Sequence, residues 1–266
     1  MRRAVPTTAS APRRLHGSAV RSGHDSMKPG YLAVHLGEDR RHWYFRGRLA
    51  VLLATLRAWL PPPPLRILEL GCGSGNVLGA LRPFGEVVGL EADPDLRAAA
   101  RAEGLDVRAG ALPGDIGVPP GWADVVLLLD VIEHLDDAAA ALAAARSALR
   151  RGGTLVVTVP ANPRLWSAHD IHLGHRRRYT ARTLRRVVEG AGFRIRHLSH
   201  FNTVLFPAVA LARLVKRIRR DDRHDLRTPR PAVNRLLERV FALERHVVPR
   251  HTLPFGVSLL VIAEWA

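Results

Sequence analysis

A run of alternating glycines, preceded by an apolar stretch, constrains the fold of this chain more than any other feature. Residues 67–70, apolar except for Glu69, are typical of a buried strand, and an apolar-periodic run begins at Val77. The three glycines between them are Gly71, Gly73 and Gly75. Glycine lets the backbone turn tightly and lets a ligand approach without a Cβ in the way, and the helix start beyond offers free N–H groups. The stretch therefore predicts a strand, a turn and a helix that together hold a ligand.

The spacing of these glycines argues against a dinucleotide site. A dinucleotide fingerprint, G-x-G-x-x-G, needs its third glycine at position 76, which is Asn76. A carboxylate, Glu91, stands 20 residues past Gly71 at the tip of the next predicted strand. Such a carboxylate can accept two ribose hydroxyls while the loop contacts the rest of the ligand. Glu91 as an exposed cap of a turn is the less favoured interpretation.

Strand-like and helix-like segments alternate along the chain, which predicts a parallel sheet with helices on both faces. The predicted strands are 66–70, 86–90, 106–109, 124–129, 154–159, 193–199 and 256–262. Apolar periodicity and capping signals predict helices that include 38–60, 136–149, 180–189, 203–219 and 232–248.

Changes in composition divide the chain into five predicted segments. They are a disordered basic tail (1–27), an N-terminal helical cover (28–64), a ligand-binding core (65–200), a helical acceptor-side cap (201–255) and a final strand (256–266). The polar connection 161–179 is long for a compact domain, and loops of that length are usually functional.

Charge and cysteine content limit the partners and the compartment. The net charge is +16, and the basic excess lies mostly outside the half that carries the glycines. It is compatible with an anionic acceptor or surface, but an arginine-rich composition bias is the favoured explanation, since only Lys28 and Lys216 are lysines. One cysteine excludes an internal disulfide. Because no apolar run reaches the ~20 residues of a membrane span and no signal peptide is recognisable, we expect a cytoplasmic protein.

Several histidines and an aspartate surround the polar connection and are candidate catalytic residues. The four favoured candidates are His134, His169, Asp170 and His172, with His175 beside them. A histidine can accept a proton near neutral pH. The spacing also suggests a metal site, but no cysteine or close carboxylate set completes one, so the sequence predicts no metal. The run 176–178 is three arginines, which either clamp an anionic acceptor or form a solvated approach to a helix.

Four motifs together resemble class I S-adenosylmethionine-dependent methyltransferases. They are the E-x-G-x-G-x-G loop at 69–75, D-V-I-E-H-L at 130–135, H-D-I-H-L-G-H-R-R-R-Y-T at 169–180 and the early H-W-Y-F-R-G-R at 42–48. The resemblance covers residues 38–264 and is strongest to small-molecule enzymes such as the ubiquinone-biosynthesis O-methyltransferases. It implies an α/β, Rossmann-like fold with a seven-stranded, mostly parallel sheet, an antiparallel last strand, an N-terminal helix and a C-terminal helical insertion.

The resemblance also implies S-adenosylmethionine as cofactor and assigns residues to it. The implied cofactor-binding residues are Glu69, Gly71, Cys72, Gly73, Gly75, Glu91, Ala92, Ala111, Leu112, Asp130 and Val131. Cys72 is interpreted as a small residue between glycines and not as a nucleophile. In the family, an acidic residue after the third strand often lies near the adenine amino group. This chain has Ala111 and Leu112 there, so the resemblance implies that their backbone atoms make that contact.

The implied reaction is methyl transfer to a small-molecule acceptor, anionic or lipophilic, by in-line displacement. Two alternatives remain: a protein that binds the cofactor without catalysis, and an RNA methyltransferase that uses the basic C-terminal third. The run Asp130–Glu133 differs from the Asn/Asp-Pro-Pro-Tyr/Phe signature of nucleic-acid enzymes, which makes a nucleic-acid substrate the less favoured of these. The segment 203–219, apolar and then basic, is interpreted first as packing or a lid, and second as a peripheral membrane contact. The acceptor and the oligomeric state are not predicted.

Overall fold

A computed structural model describes residues 39–219 and 228–266 of the chain. The predicted tail 1–27, the first part of the predicted N-terminal cover (28–38) and residues 220–227 of the predicted cap lie outside the described residues.

Within the described residues, seven strands form one sheet in the order β3-β2-β1-β4-β5-β7-β6. They are β1 (Leu65–Leu70), β2 (Gly85–Glu91), β3 (Asp106–Ala109), β4 (Ala123–Leu129), β5 (Leu149–Pro160), β6 (Arg194–Phe201) and β7 (Ser258–Glu264). Strands β1 to β5 pair in parallel, and β7 pairs antiparallel with both β5 and β6. The predicted Rossmann-like sheet with an antiparallel last strand is confirmed.

The helices lie mainly between the strands, as the alternating pattern predicts. They are α1 (Trp43–Trp59), α2 (Asn76–Leu81), α3 (Pro94–Ala102), α4 (Ala138–Ala148), α5 (Ala168–His172), α6 (Ala181–Gly190), α7 (Phe206–Arg219) and α8 (Pro231–Ala242). Short 3₁₀ turns occur at Arg82–Phe84, Pro163–Leu165 and Leu243–His246.

Some element boundaries differ from the prediction for local reasons. Helix α1 begins at Trp43 and not at residue 38, because the His42 ring caps it by accepting the Tyr44 N–H at 3.2 Å. The predicted helix 232–248 ends as an α-helix at Ala242 and continues as a 3₁₀ turn. Within that turn, the Glu244 carboxylate accepts backbone N–H groups from residues 202–204. The connection 161–179, predicted as a loop, contains a 3₁₀ turn and α5.

The sheet is buried on both faces, which explains the apolar character of its central strands. Leu68, Leu70 and Leu128 belong to the core that packs against α4 and α6 on one face. Ile67, Val125 and Leu127 belong to the core under α1 on the other face. This alternation fixes the register of β1 and β4, and so the place where their carboxyl ends meet.

Helix α1 lies against α8 as well as against the sheet. The Trp43 N–H donates to Asn234 Oδ1 at 2.9 Å. A Cβ at Gly47 would lie 2.5 Å from the Phe241 ring, so α8 sits close because position 47 has no side chain. Among the helices of the described residues, none has the length and apolar character needed to cross a bilayer.

Candidate functional site

A cavity of about 580 Å³ opens at the carboxyl ends of β1, β2 and β4. Residues of α1, of the 161–179 connection and of α7 also line it, together with the segments after β3 and β4. In open α/β sheets, ligands bind at this edge, where the strand order reverses. The cavity is therefore the candidate site, and the predicted site residues can be located relative to it.

The glycine loop forms one end of the cavity with backbone in left-handed conformation. Gly71 has a φ of +76°, and a Cβ there would lie 2.9 Å from a methyl carbon of Val131. Gly73 has a φ of +57°, and a Cβ there would meet no atom of the described residues within 4 Å. A side chain at position 73 would thus project into the cavity, which explains why the smallest residue occupies it.

Glu91 lies at the tip of β2 and is held by the glycine loop. Its carboxylate accepts the Gly73 N–H at 2.8 Å and the Asp93 N–H at 2.9 Å. Burial raises the pKa of the Glu91 carboxyl, and these two N–H donors partly offset that effect. The predicted ribose-binding carboxylate therefore already fixes the loop in which the glycines lie.

Asp130 follows β4 with a φ of 58°, unusual for a residue with a side chain. Its Oδ2 forms an ion pair with Arg48 of α1 at 2.8 Å, and its Oδ1 accepts the Thr158 hydroxyl at 3.3 Å. Arg48 also donates to that hydroxyl at 2.8 Å. The N-terminal helix is thereby tied to the two central strands inside the cavity.

Most of the predicted cofactor-binding residues form this end of the cavity wall. The eight that line it are Gly71, Gly73, Glu91, Ala92, Ala111, Leu112, Asp130 and Val131. Glu69, Cys72 and Gly75 lie behind the wall. A Cβ at Gly75 would lie 2.4 Å from Leu105, so this glycine permits close packing of the loop on the core. Burial raises the pKa of the Cys72 thiol, which keeps it protonated and unreactive.

Glu69 is buried beneath the loop with only 2 % of its surface exposed. Burial raises the pKa of Glu69 to about 8, although the nearby Arg48 charge acts in the opposite direction. A carboxyl in this environment is largely neutral below that pH.

Three histidines, His134, His169 and His175, line a second part of the cavity wall, here called the histidine end. The His134 and His175 rings meet edge to face with their centroids 4.8 Å apart. Two predicted catalytic residues, His134 and His169, are thus brought together with His175. The predicted catalytic roles stay a prediction.

Asp170 lies behind these histidines, fully buried, and organises them. It accepts hydrogen bonds from the Ser167 N–H at 2.9 Å and Arg178 Nε at 2.7 Å, and lies 2.8 Å from His175 Nδ1. Burial alone would raise the pKa of Asp170, but the contacts with His175 and Arg178 hold it well below its usual range. Asp170 therefore acts on the cavity through His175.

His172 and two of the three arginines face away from the cavity. The His172 Nδ1 lies 2.7 Å from the Ala168 carbonyl oxygen within α5, a local helical contact. Arg176 donates to the carbonyl of His134 at 2.8 Å and Arg177 to that of Leu135 at 2.9 Å. These two arginines fasten the 161–179 connection to the segment after β4.

The structure adds cavity residues that the sequence analysis did not assign, Glu133 above all. Its side chain is fully buried, and neither carboxylate oxygen accepts a hydrogen bond from the described residues. Burial and the Asp130 charge raise the pKa of Glu133 well above its usual range. A signal was present in the sequence, since Glu133 lies within the motif that carries Asp130 and His134.

Arg48 and Tyr44 of α1 also line the cavity. Tyr44, Arg48 and the fully buried core residue Leu52 follow one another at intervals of four residues. They therefore lie on the same face of α1, which is the face that packs on the core. In the sequence, an arginine at position 48 on the apolar face of a predicted helix is a pattern that indicates a buried ion pair.

Helix α7 presents two different faces. Val209, Ala212 and Arg213 line the cavity. Leu211, Leu214 and Ile218 point outward and are 60 %, 53 % and 73 % exposed. The inward face agrees with the interpretation of 203–219 as a lid.

Comparisons with known proteins agree with this geometry. Residues 40–198 match the family described as "Methyltransferase domain". A protein of Mycolicibacterium smegmatis, named as a probable S-adenosylmethionine-dependent methyltransferase, is 33% identical over 134 residues, which is 48% of this chain and 52% of that protein. A ubiquinone biosynthesis O-methyltransferase of Xanthomonas campestris is 31% identical over 115 residues, 41% of this chain and 48% of that enzyme. These matches span about half the length of each relative.

A solved structure extends the likeness in fold. An S-adenosylmethionine-dependent methyltransferase from Mesorhizobium loti has a TM-score of 0.54 and 21% sequence identity, covering 80% of this chain and 97% of that one. The family match covers more than half of the chain, and the glycine loop, Glu91 and Asp130 all lie within it. The chain belongs to the methyltransferase domain family.

Proposed function

We propose that the protein transfers a methyl group from S-adenosylmethionine to a small-molecule acceptor by in-line displacement. One observation carries the proposal. The glycine end, with Glu91 and Asp130, and the histidine end, whose His175 contacts Asp170, line one and the same cavity. A donor and an acceptor bound at these ends share a space in which their reacting atoms can be aligned.

Family membership implies S-adenosylmethionine as cofactor, and the residues present fit it. The Gly73 Cα faces open cavity, so a ligand can approach the backbone there. Glu91 and Asp130 offer carboxylate oxygens to the hydroxyl and amino groups of the cofactor. When bound, the cofactor supplies an electrophilic methyl group on a sulfonium.

The contribution of the chain is then mostly alignment and exclusion of water. Arg48 and Thr158 hold Asp130 at its position on the cavity wall. Tyr44, Val209 and Ala212 also line the cavity, and we propose that they shield the reacting atoms from water. Alignment of this kind can account for a large part of the barrier reduction in a bimolecular reaction.

A hydroxyl or amine acceptor must also lose a proton, and His134, His169 and His175 are the groups proposed to take it. Each lines the cavity, and neutral imidazole accepts a proton near pH 7. Asp170 is a positioning residue for His175. His172 faces away from the cavity, so we assign it no direct role in proton transfer.

We also propose that the acceptor is lipophilic and that α7 contacts an anionic bilayer. The outward stripe of α7 is apolar and exposed, and the basic residues Lys216, Arg217 and Arg219 follow on the same helix. Apolar area combined with positive charge is what an interfacial helix needs. The inward face of the same helix lines the cavity, which would give a membrane-dissolved acceptor a short path.

Titration calorimetry with S-adenosylmethionine tests the cofactor assignment. We expect binding by the wild type and, for Glu91→Gln, a loss of about tenfold or more, since a charge-assisted hydrogen bond of about 1.5–3 kcal/mol is weakened. Glu86→Gln, an exposed site on the same strand, is the matched control and should bind normally. Absence of wild-type binding would refute the proposal.

Methyl transfer itself is tested with isotope-labelled cofactor and a metabolite extract containing lipids, followed by mass spectrometry of labelled products. A labelled small molecule is the expected result. Cofactor binding without any labelled product would favour the non-catalytic alternative, and label in RNA would favour the nucleic-acid alternative.

A further inference from the structure

The carboxylate of Glu133 is the least satisfied polar group of the cavity wall. Its side chain is 0 % exposed, and neither of its oxygens accepts a hydrogen bond from the described residues. A buried carboxylate without donors is costly, so such a group normally has a counter-ion or carries a proton. Glu133 therefore marks a position where a positive charge would be stabilised.

His175 presents a lone pair to this carboxylate. The Asp170 carboxylate already accepts from Ser167 N–H and Arg178 Nε, which identifies it as an acceptor. Its Oδ1 lies 2.8 Å from His175 Nδ1, so Nδ1 carries the hydrogen and Nε2 in the neutral ring does not. That Nε2 lies 4.0 Å from Glu133 Oε1. Two electron-rich atoms thus face each other at a distance too long for a hydrogen bond.

His134 contributes a third atom with a lone pair to the same place. One ligand atom each from Glu133, His134 and His175 lie within 4.8 Å of one another. Metal ions bind imidazole nitrogen and carboxylate oxygen at about 2.0–2.2 Å, so two ligands of one ion lie up to about 4.3 Å apart. Small rotations of the side chains would bring the three atoms into this range.

The charge around the cluster favours a cation as well. Three carboxylates, Glu133, Asp130 and Asp170, surround it, and the guanidinium groups of Arg48 and Arg178 pair with the latter two. Both arginines thus form their ion pairs with the other two carboxylates, and within the described residues neither forms one with Glu133, where a metal ion could replace the proton. The Asp170–His175 contact has the form of the carboxylate–histidine pairs that orient imidazole toward a bound metal.

We propose that Glu133, His134 and His175 bind a divalent cation of the Zn²⁺, Co²⁺ or Mn²⁺ kind, with Asp170 positioning His175. Two imidazoles and one carboxylate suit these ions better than Mg²⁺ or Ca²⁺, which prefer oxygen ligands. Three protein ligands leave coordination positions open to the cavity, as in sites where a metal meets a substrate. In the metal-bound form, ring nitrogens of His134 and His175 are ligands, so His169 is the histidine of the cavity wall that accepts the proton.

The site also narrows the acceptor class, an extension that rests on the proposed function. A divalent cation lowers the pKa of an oxygen bound to it. The acceptor is then a molecule with a hydroxyl group, and preferably a second oxygen beside it that can share the ion.

Cobalt titration of the full chain, prepared free of metal, tests the site without the cofactor. We expect one Co²⁺ per chain with visible absorption bands of nitrogen and oxygen coordination, displaced by Zn²⁺. Glu133→Gln and His175→Gln should each weaken binding by at least ~100-fold, because each removes one of three ligands. Asp170→Asn should weaken it by about 10- to 100-fold, as for other supporting residues of metal sites.

His251→Gln is the matched control, because His251 is an exposed histidine outside the cavity wall. Its cobalt affinity should equal that of the wild type, which separates the proposed site from surface histidines. Glu133→Gln should remain folded, since it removes a buried unpaired charge, and circular dichroism checks this.

Two results would overturn the proposal: no stoichiometric cobalt binding by the wild type, or unchanged binding by Glu133→Gln and His175→Gln. The outcome is independent of the cofactor assignment. Calorimetry of the metal-free protein with S-adenosylmethionine reports the cofactor end alone, so failure of one proposal can be distinguished from failure of the other.

Discussion

The glycine end of the cavity is formed mainly by main-chain atoms, and the histidine end is formed mainly by side chains. At the glycine end, main-chain atoms of Gly71 and Gly73 form the wall, and Glu91 holds them through a backbone N–H. At the histidine end, side chains form the wall, and buried charges such as Asp170 and Arg178 hold them in place. The first end depends on backbone conformation and the second on electrostatic pairing.

This difference predicts how each end fails when it is altered. A change in backbone conformation at the glycine end should affect ligand affinity more than stability, because the loop lies at the edge of the core. A change in a buried charge at the histidine end should affect stability first, because the partner charge stays buried. Four experiments test this contrast, in order of decreasing effect.

The largest expected effect is that of Asp170→Asn on stability. The substitution leaves the guanidinium of Arg178 buried without an anionic partner, which typically costs about 3–5 kcal/mol. Chemical denaturation measures it, and cofactor affinity of the folded variant should be unchanged. Asp136→Asn is the control, because its ion pair with Arg176 is exposed at the surface and should cost less than about 1 kcal/mol. Equal costs for the two variants would contradict the contrast.

The second experiment concerns the pH dependence of stability at the glycine end. The pKa of Glu69 is about 8 in the folded protein, against an ordinary value of 4.5. A raised pKa means that the folded state holds this proton more tightly, so the contribution is present in full below pH 4.5 and is lost as pH rises toward 8. We expect the free energy of unfolding to fall by about 2–3 kcal/mol between pH 5 and 8 for this group.

Glu69→Gln removes the titration and should flatten that part of the pH profile, with a relative gain in stability at pH 8. Glu86→Gln, exposed on the neighbouring strand β2, should leave the profile unchanged. A wild-type profile identical to that of Glu69→Gln would show that Glu69 stays ionised throughout.

The third experiment places a methyl group on the cavity side of the loop. Gly73→Ala should reduce S-adenosylmethionine affinity by at least ~10-fold, because the new Cβ occupies open cavity. The cost in stability should be only about 1–2 kcal/mol, the ordinary cost of a left-handed alanine. Gly121→Ala is matched in conformation, with a φ of +71° and open space around its Cβ, but lies outside the cavity wall. It should have the same cost in stability and normal affinity.

The smallest expected effect on stability is that of changes on the outer face of α7. Leu214→Gln with Ile218→Gln should alter stability by less than about 0.5 kcal/mol per site, as for other exposed positions. Sedimentation with phosphatidylglycerol vesicles should fall by about fivefold or more, because two apolar contacts are removed. The control pair, Val233→Gln with Leu236→Gln, is equally exposed on α8 and should not change vesicle binding. Unchanged vesicle binding by the α7 pair would exclude the membrane contact.

The contrast between the two ends also explains what the sequence could predict. Strand β1, the glycines and Glu91 lie within about 25 residues of one another, and their roles depend on local conformation. Such features leave a spacing pattern, and so the fold and the glycine end could be inferred directly. The family resemblance added Asp130 and Val131, which line the cavity; their contacts with the cofactor stay a prediction.

The histidine end depends on contacts between distant segments, which leave no comparable pattern. The sequence places His169, Asp170, His172 and His175 in one run, but it does not show which of them face the cavity. That is decided by the bonds of Asp170 to Ser167 and Arg178, and by the attachment of Arg176 and Arg177 to the segment after β4. The sequence does not single out Glu133 either, because its importance depends on its tertiary surroundings: within the described residues, no hydrogen-bond donor contacts its carboxylate.

The position of β7 has a consequence for the order of assembly. In sequence, β7 follows β6 and the whole α7–α8 excursion, yet it lies between β5 and β6 and bonds to both. Strand β6 can therefore join the sheet only after β7 has been synthesised and has paired with β5. Because β5 and β7 are far apart in sequence, this pairing is slow to form. During synthesis, the edge of β5 stays open until then. We expect the part of the cavity wall at Pro160 and Ser258, where β5 and β7 pair, to form only after β7 has been synthesised, while the glycine end can form earlier on the nascent chain.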